Sequence, residues 1–174
     1  MITDKIFEET LNVFINGLEK YDEATFRRKE NPDTWSLAQL YAHLVISNDW
    51  YFEQIESCFG HQMNLDKEMS ENGKIMHQRN SYLEEKLKWD LPDPENDLIS
   101  INVVEEDLKN NLEKSKTLWN SINCETIFGK VEHPAFGYMF PIEWYQFTEM
   151  HLRHHINQKN KIENQYLYQR PSRR

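Results

Sequence analysis

Cysteine is scarce: Cys58 and Cys124 are far apart and form no CxxC pair. That excludes a disulfide framework and a cysteine-built zinc knuckle, and points to a reduced, cytoplasmic protein with both thiols in or near the core. Five glycines and six prolines are too few for the tight turns of an all-β sandwich. No apolar run approaches the ~20 residues a membrane span needs. The opening MITDKIFEET lacks the basic-then-apolar order of a secretion signal. Positive charge is also short. Lys and Arg number 20 against 29 Asp and Glu, a net charge of −9, which disfavours a nucleic-acid partner because phosphates require a basic face. The one basic cluster, Arg170 to Arg174, reads as a solvated tail.

What is present suits a folded core. Hydrophobic residues make up 39% and aromatics 13% of the chain, and its length fits one domain. We expect a single domain over residues 1–168, followed by the tail at 169–174. Helical periodicity dominates. Ile6, Phe7, Leu11, Phe14, Ile15 and Leu18 keep a helical period over 3–20 and mark a first helix, capped by Thr3 or Asp4 and ending somewhere between 20 and 29, before the turn signal Asn31-Pro32-Asp33. Ser36 with Gln39 is a capping box, so a second helix starts at Leu37 and runs to about Ser57. Its inward stripe is Leu37, Leu40, Leu44, Ser47 and Tyr51, with His43 on or beside it, and Trp35 is placed to staple against Leu40 or Tyr41. Residues 60–97 are polar and weakly periodic; a shorter helix is expected near 75–89, then a loop closed by Pro92 and Pro94. A third long helix spans about Ser100 to Asn120, where Val103, Val104, Leu108, Leu112, Ser115 and Trp119 keep the helical period. Gly129, Pro134, Gly137 and Pro141 keep 121–141 from being helical. The last helix runs from Pro141 to about Tyr166. The expected fold class is all-α, a four-helix bundle with one additional short helix in the middle segment.

The stretch EMHLRHHINQ, Glu149 to Gln158, carries the chemistry. His151 and His155 are four residues apart and therefore stack on one helix face. That face also holds Trp144, Thr148, Gln158 or Lys159, and Ile162, so both imidazoles face the packing side. Two neutral imidazoles side by side in a core need partners, and one metal ion satisfies both nitrogens. The pattern is not HExxH, since Leu152 follows His151, and a metalloprotease is disfavoured. His43, set among apolar residues, is the natural third ligand. Three protein ligands leave a position for water or substrate, as catalytic sites do. Imidazoles accept Zn, Ni, Fe or Co without distinction. His154 points about 100° away from His155. Gln158, one turn past His155, can serve a bound water or substrate or simply edge the core. His133 can reach the mouth of the site or stabilise its own turn. Asp49 and Glu149 can orient imidazoles from outside. His61 and His77 read as surface residues.

Trp35-Ser36, then His43, then HPAFG at 133–137, then the HxxHHxxQ of 151–158 together resemble the DinB family, over roughly residues 35 to 165. The resemblance implies a four-helix bundle with a divalent metal held by His43, His151 and His155. It also implies a reaction, transfer of a low-molecular-weight thiol such as bacillithiol, mycothiol or glutathione, because some relatives are thiol transferases and others isomerise maleylpyruvate with mycothiol. The leading expectation is thus a metal-dependent thiol S-transferase in detoxification or stress response. It would take a small-molecule substrate, with Gln158 and His133 assisting, and would bind neither nucleic acid nor membrane. Two rivals stand beside it: a metal-dependent hydrolase with a metal-activated water, and a non-catalytic, metal-stabilised module. In the second, aromatics such as Trp50 or Tyr145 would form a homodimer seam.

Overall fold

The structure, a computed structural model, describes residues 2–82 and 94–166. Its long helices are α1 (Asp4–Ile15), α3 (Leu37–Ser57), α5 (Ile101–Cys124) and α6 (Pro141–Tyr166), with short helices α2 (Glu23–Phe26) and α4 (Glu71–Arg79) between them. Each long helix packs on two principal neighbours, giving the order α1, α6, α3, α5 around the bundle. An all-α four-helix bundle is what the periodicity indicated.

Local chemistry sets the helix ends. The Thr3 hydroxyl accepts from the Ile6 N–H at the start of α1. The first helix is shorter than its pattern. It stops at Ile15 and the chain re-forms as a 3-10 turn at Leu18–Lys20 and then α2, capped by Asp22. Just past the break the chain runs close to α3 and α6: a Cβ on Gly17 would lie 2.8 Å from the Lys159 Cε and 2.9 Å from the Tyr41 hydroxyl. At α3 the capping box is complete. The Gln39 N–H donates to Ser36 Oγ at 3.0 Å, and the Ser36 N–H donates to Gln39 Oε1 at 3.2 Å.

The middle segment departs from expectation. Its helix begins at Glu71, where the Ser70 hydroxyl caps Gly73, and ends at Asn80, which takes the left-handed conformation with φ 49°. Asparagine tolerates that conformation as a C-cap, and the weak apolar periodicity could not reveal it. The later part of the helix expected at 75–89, the turn at Pro92 and the basic tail lie outside the described residues. Between α5 and α6 the chain forms a small antiparallel hairpin, β1 (Val131–His133) and β2 (Gly137–Met139), pairing Val131 with Met139 and His133 with Gly137. Gly137 has φ +76°, and a Cβ on it would meet the Ser70 backbone nitrogen at 2.6 Å, so the hairpin closes directly on the start of α4.

Phe7, Leu11 and Phe14 of α1, Leu40, Tyr41, Leu44 and Phe52 of α3, and Leu108 and Leu118 of α5 fill the core with Trp144, Tyr145, Phe147 and Leu152 of α6. Helix α6 is the axis of the molecule, buried on more than one face through Phe147–Leu152. Ile6 and Val103, apolar positions of the first and third helical patterns, are exposed. Each adjoins a buried residue, Phe7 or Val104, and neighbours on a helix point about 100° apart. Tyr145 is fully buried against Phe7 and Trp119, and Trp50 is half-buried against Tyr51 and Trp144, so these rings pack inward. Cys58 is buried as expected, whereas Cys124 is exposed at the end of α5.

Ser36 is fully buried and, besides capping α3, donates to Asn96 Oδ1 ahead of α5. Ser36→Ala is expected to cost about 1–2 kcal/mol in urea denaturation, with metal content unchanged because α3 keeps its place through its apolar face.

Candidate metal centre

His43 lies in the second turn of α3, and α6 presents His151 and His155 one turn apart against it. The rings meet through their Nε2 atoms. His43 Nε2 is 3.3 Å from His151 Nε2, and His155 Nε2 is 3.1 Å from the same atom. The three ligand atoms lie within 4.8 Å of one another. Nitrogens held at ~2.0–2.1 Å around a tetrahedral ion are about 3.3 Å apart, so the spacing suits a shared cation. Among the described residues this is the one cluster of His, Cys, Asp or Glu that could hold a metal ion.

The protons also fit. Gln158 Oε1 lies 2.9 Å from His155 Nδ1, so that nitrogen donates its N–H and the His155 Nε2 lone pair is free. Without a cation, a single proton on His151 Nε2 has to serve two neighbouring lone pairs. With one, each Nε2 lone pair has its own acceptor and His151 carries its proton on Nδ1. That Nδ1 is buried and has no hydrogen-bond partner among the described residues. Burial, reinforced by the neighbouring histidines, holds His151 well below the usual imidazole range, and burial brings His155 down to about 3. At neutral pH, therefore, protons do not compete with a cation for either residue.

Rings wall the cluster. Trp35 lies with its centroid 5.2 Å from the His43 ring, and Tyr51 and Tyr82 lie 5.3 and 5.6 Å from His151. The Ser47 hydroxyl is 3.4 Å from His43 Nε2. These neighbours were not singled out as site residues in the sequence. Ser47 is one turn from His43 and could have been found by spacing alone, but Tyr82 follows a helix whose end was not legible.

The remaining expected site residues fall elsewhere. Asp49 accepts from the Asn111 amide at 2.8 Å, on the α5 side. Glu149 is gripped by Arg153 at 3.0 and 2.8 Å and by the Thr10 hydroxyl at 2.9 Å, on the α1 side. Neither carboxylate touches the imidazoles as expected, because each faces a different helix from the histidines. His154 is exposed and stacks on Tyr82. His77, expected on the surface, is half-buried on α4. His133 accepts at Nδ1 from the Ala135 N–H at 3.1 Å, inside the hairpin turn. Its ring is buried among Trp50, Phe136, Trp144 and Phe147.

Burial lowers His133 to about 4. The fold therefore binds this proton less well than the unfolded chain, where histidine titrates near 6.5. Stability linked to His133 is complete above pH 6.5 and is lost as pH falls toward 4, by about 1.4 kcal/mol per pH unit and about 3 kcal/mol in all. His133→Asn keeps an acceptor for the Ala135 N–H and removes the titration. Urea unfolding between pH 6.5 and 4 is expected to show a slope shallower by about one proton in the variant.

No helix among the described residues is long and apolar enough to cross a membrane. Among curated proteins and among solved structures, none matches the chain. The sequence model of the DinB superfamily matches residues 6–158, from the first turn of α1 to the glutamine that anchors His155. That match takes in all three clustered histidines and most of the bundle, and the chain belongs to the DinB superfamily.

Proposed function

We propose that this protein is a divalent-metal-dependent enzyme that joins a low-molecular-weight thiol to a small electrophile, with His43, His151 and His155 as the ligands. The observation that carries the reading is the convergence of three ring nitrogens from two helices, with no fourth His, Cys, Asp or Glu beside them among the described residues. Sites of that kind keep a position for a reactant, whereas structural sites are closed by four protein ligands. A divalent ion at the three nitrogens would supply the Lewis acidity that lets a thiol ionise near neutral pH.

The chain's own groups have separate tasks. Burial keeps His151 and His155 unprotonated. Gln158 is a positioning residue: it accepts the His155 Nδ1 proton and so aims Nε2 at the cluster. Tyr51 and Tyr82 shield His151 from water. We place His133 with the hairpin, as a support for the rings around Trp144, and not with the reacting groups. A reducing compartment suits both a thiol cosubstrate and the free Cys58 and Cys124.

Elemental analysis of purified protein is expected to find about one divalent metal per chain in wild type and its loss in His151→Ala. Conjugation of a small thiol with an electrophile should stop on chelation and return with added metal. Turnover of esters, amides or phosphates without added thiol would replace this reading with hydrolysis. A chelator-induced drop in melting temperature with no activity on either panel would leave a metal-stabilised, non-catalytic bundle. Gln158→Leu is expected to weaken metal affinity by roughly 10–100-fold while the far-ultraviolet circular dichroism is unchanged.

A further inference from the structure

Helix α4 is pinned at both ends. Before its first residue, the Ser70 N–H donates to the Phe136 carbonyl at 2.8 Å and the Ser70 hydroxyl to the Ala135 carbonyl at 3.2 Å, so the helix starts on the hairpin. At its end the Ser81 N–H donates to the Met76 carbonyl and the Asn80 N–H to the His77 carbonyl, the pair of bonds that closes a helix on a left-handed residue. Glycine suits such a position at least as well as asparagine, so the turn alone does not account for an amide at Asn80.

That amide is used across the bundle. Gln146 Nε2 donates to Asn80 Oδ1 at 3.0 Å, Arg153 Nη2 to the same oxygen at 3.4 Å, and Arg153 Nη1 to the Asn80 carbonyl at 2.9 Å. Arg153 is itself fixed, since the buried Glu149 accepts from its Nε and Nη2 and also from the Thr10 hydroxyl of α1. Two side chains of α6, set two turns apart, therefore grip the residue that ends α4.

Tyr82 follows two residues later and is half-buried. Its ring centroid lies 5.7 Å from Phe147, 5.6 Å from His151 and 4.9 Å from His154. Those three are four and three residues apart and share one face of α6, with His151 in the middle. A tyrosine just beyond a helix end has no run of backbone hydrogen bonds to hold it, and fixing its ring costs conformational entropy. The grip on Asn80 lowers that cost, because it fixes the backbone two residues before the ring.

We infer that Asn80 is a positioning residue of the histidine cluster: clasped by Gln146 and Arg153, it holds the Tyr82 ring over His151. The clasp sets how readily solvent and solutes reach His151. On the metal reading above, it also sets how fast an ion enters and leaves.

Diethyl pyrocarbonate acylates unprotonated imidazole, and mass spectrometry resolves the product residue by residue. Modification of His151 is followed in the protein as purified, for wild type, Asn80→Gly, Asn80→Asp, Tyr82→Ala and the double variant Asn80→Gly with Tyr82→Ala. Asn80→Gly suits the left-handed turn and removes only the amide, so it is expected to fold and to raise the His151 rate several-fold. Asn80→Asp keeps both acceptors and should stay near wild type. Tyr82→Ala should raise the rate at least as much as Asn80→Gly, and the double variant should match Tyr82→Ala alone, because the two residues act through one ring. An unchanged rate in Asn80→Gly would overturn the inference, as would effects that multiply in the double variant. Should Tyr82→Ala fold poorly, the contrast between Asn80→Gly and Asn80→Asp decides by itself. With cobalt(II) bound, its release to excess chelator is expected to quicken in the same order. If wild type takes up no cobalt, the metal reading falls, and the order of His151 modification still decides the role of Asn80.

Discussion

The packing of α3 against α6 decides what this molecule can hold. Three imidazole nitrogens share a space as wide as one ion, with separations of 3.3 and 3.1 Å about His151 Nε2. Rings at that distance cannot all point lone pairs at one another in a dry interior without cost, and they cannot readily protonate, because burial holds His151 and His155 far below the ordinary imidazole range. The site resists the usual escape of a crowded polar cluster, which is to take up a proton. A cation is one way to satisfy such a cluster, and the contact of Gln158 with His155 Nδ1 leaves the His155 Nε2 lone pair facing the other two rings.

Helix α6 carries this cluster as half of a longer buried polar stripe, His151, His155, Lys159 and Glu163, stepping four residues at a time. The two halves are balanced differently. Lys159 and Glu163 pair at 2.9 Å with side chains 3% and 6% exposed, and the Tyr21 hydroxyl donates to the same carboxylate oxygen. Breaking such a pair strands a buried charge, and through Glu163 the C-terminal half ties α6 to Lys20 and Tyr21. The histidine half has no internal counter-charge. One helix thus carries a closed polar contact and, one turn away, a histidine cluster that could hold an ion.

The long helices and the three histidines were legible because both depend on local spacing. The capping box at Ser36, Pro141 at the start of α6, and the pair His151 and His155 are all encoded within four residues. His43 was legible as a polar residue alone on an apolar face. What was not legible depends on distant neighbours. Gly17 lies close to Lys159 and Tyr41 just past the end of α1, the hairpin fits through Gly137 against Ser70, and α4 ends at the left-handed Asn80. Asp49 and Glu149 looked available to the imidazoles by sequence proximity, yet each faces another helix. Trp35 read as a staple for the start of α3, and its ring also lies on His43, in the second turn.

The overall charge of −9 bears on this site differently for metal and for substrate. Surface carboxylates raise the local concentration of divalent cations and lower that of anions, but beyond about 8 Å in physiological salt that field is largely screened. Within that distance the site's own groups prevail, and the described acidic groups of α3 and α6 closest in sequence to the histidines are paired away from them. A cation entering the nitrogens therefore reverses the local sign without altering the surface. The acidic surface and a cation site are compatible because the three donors are neutral: the surface draws ions toward the molecule, and the imidazoles could hold one without adding charge of their own.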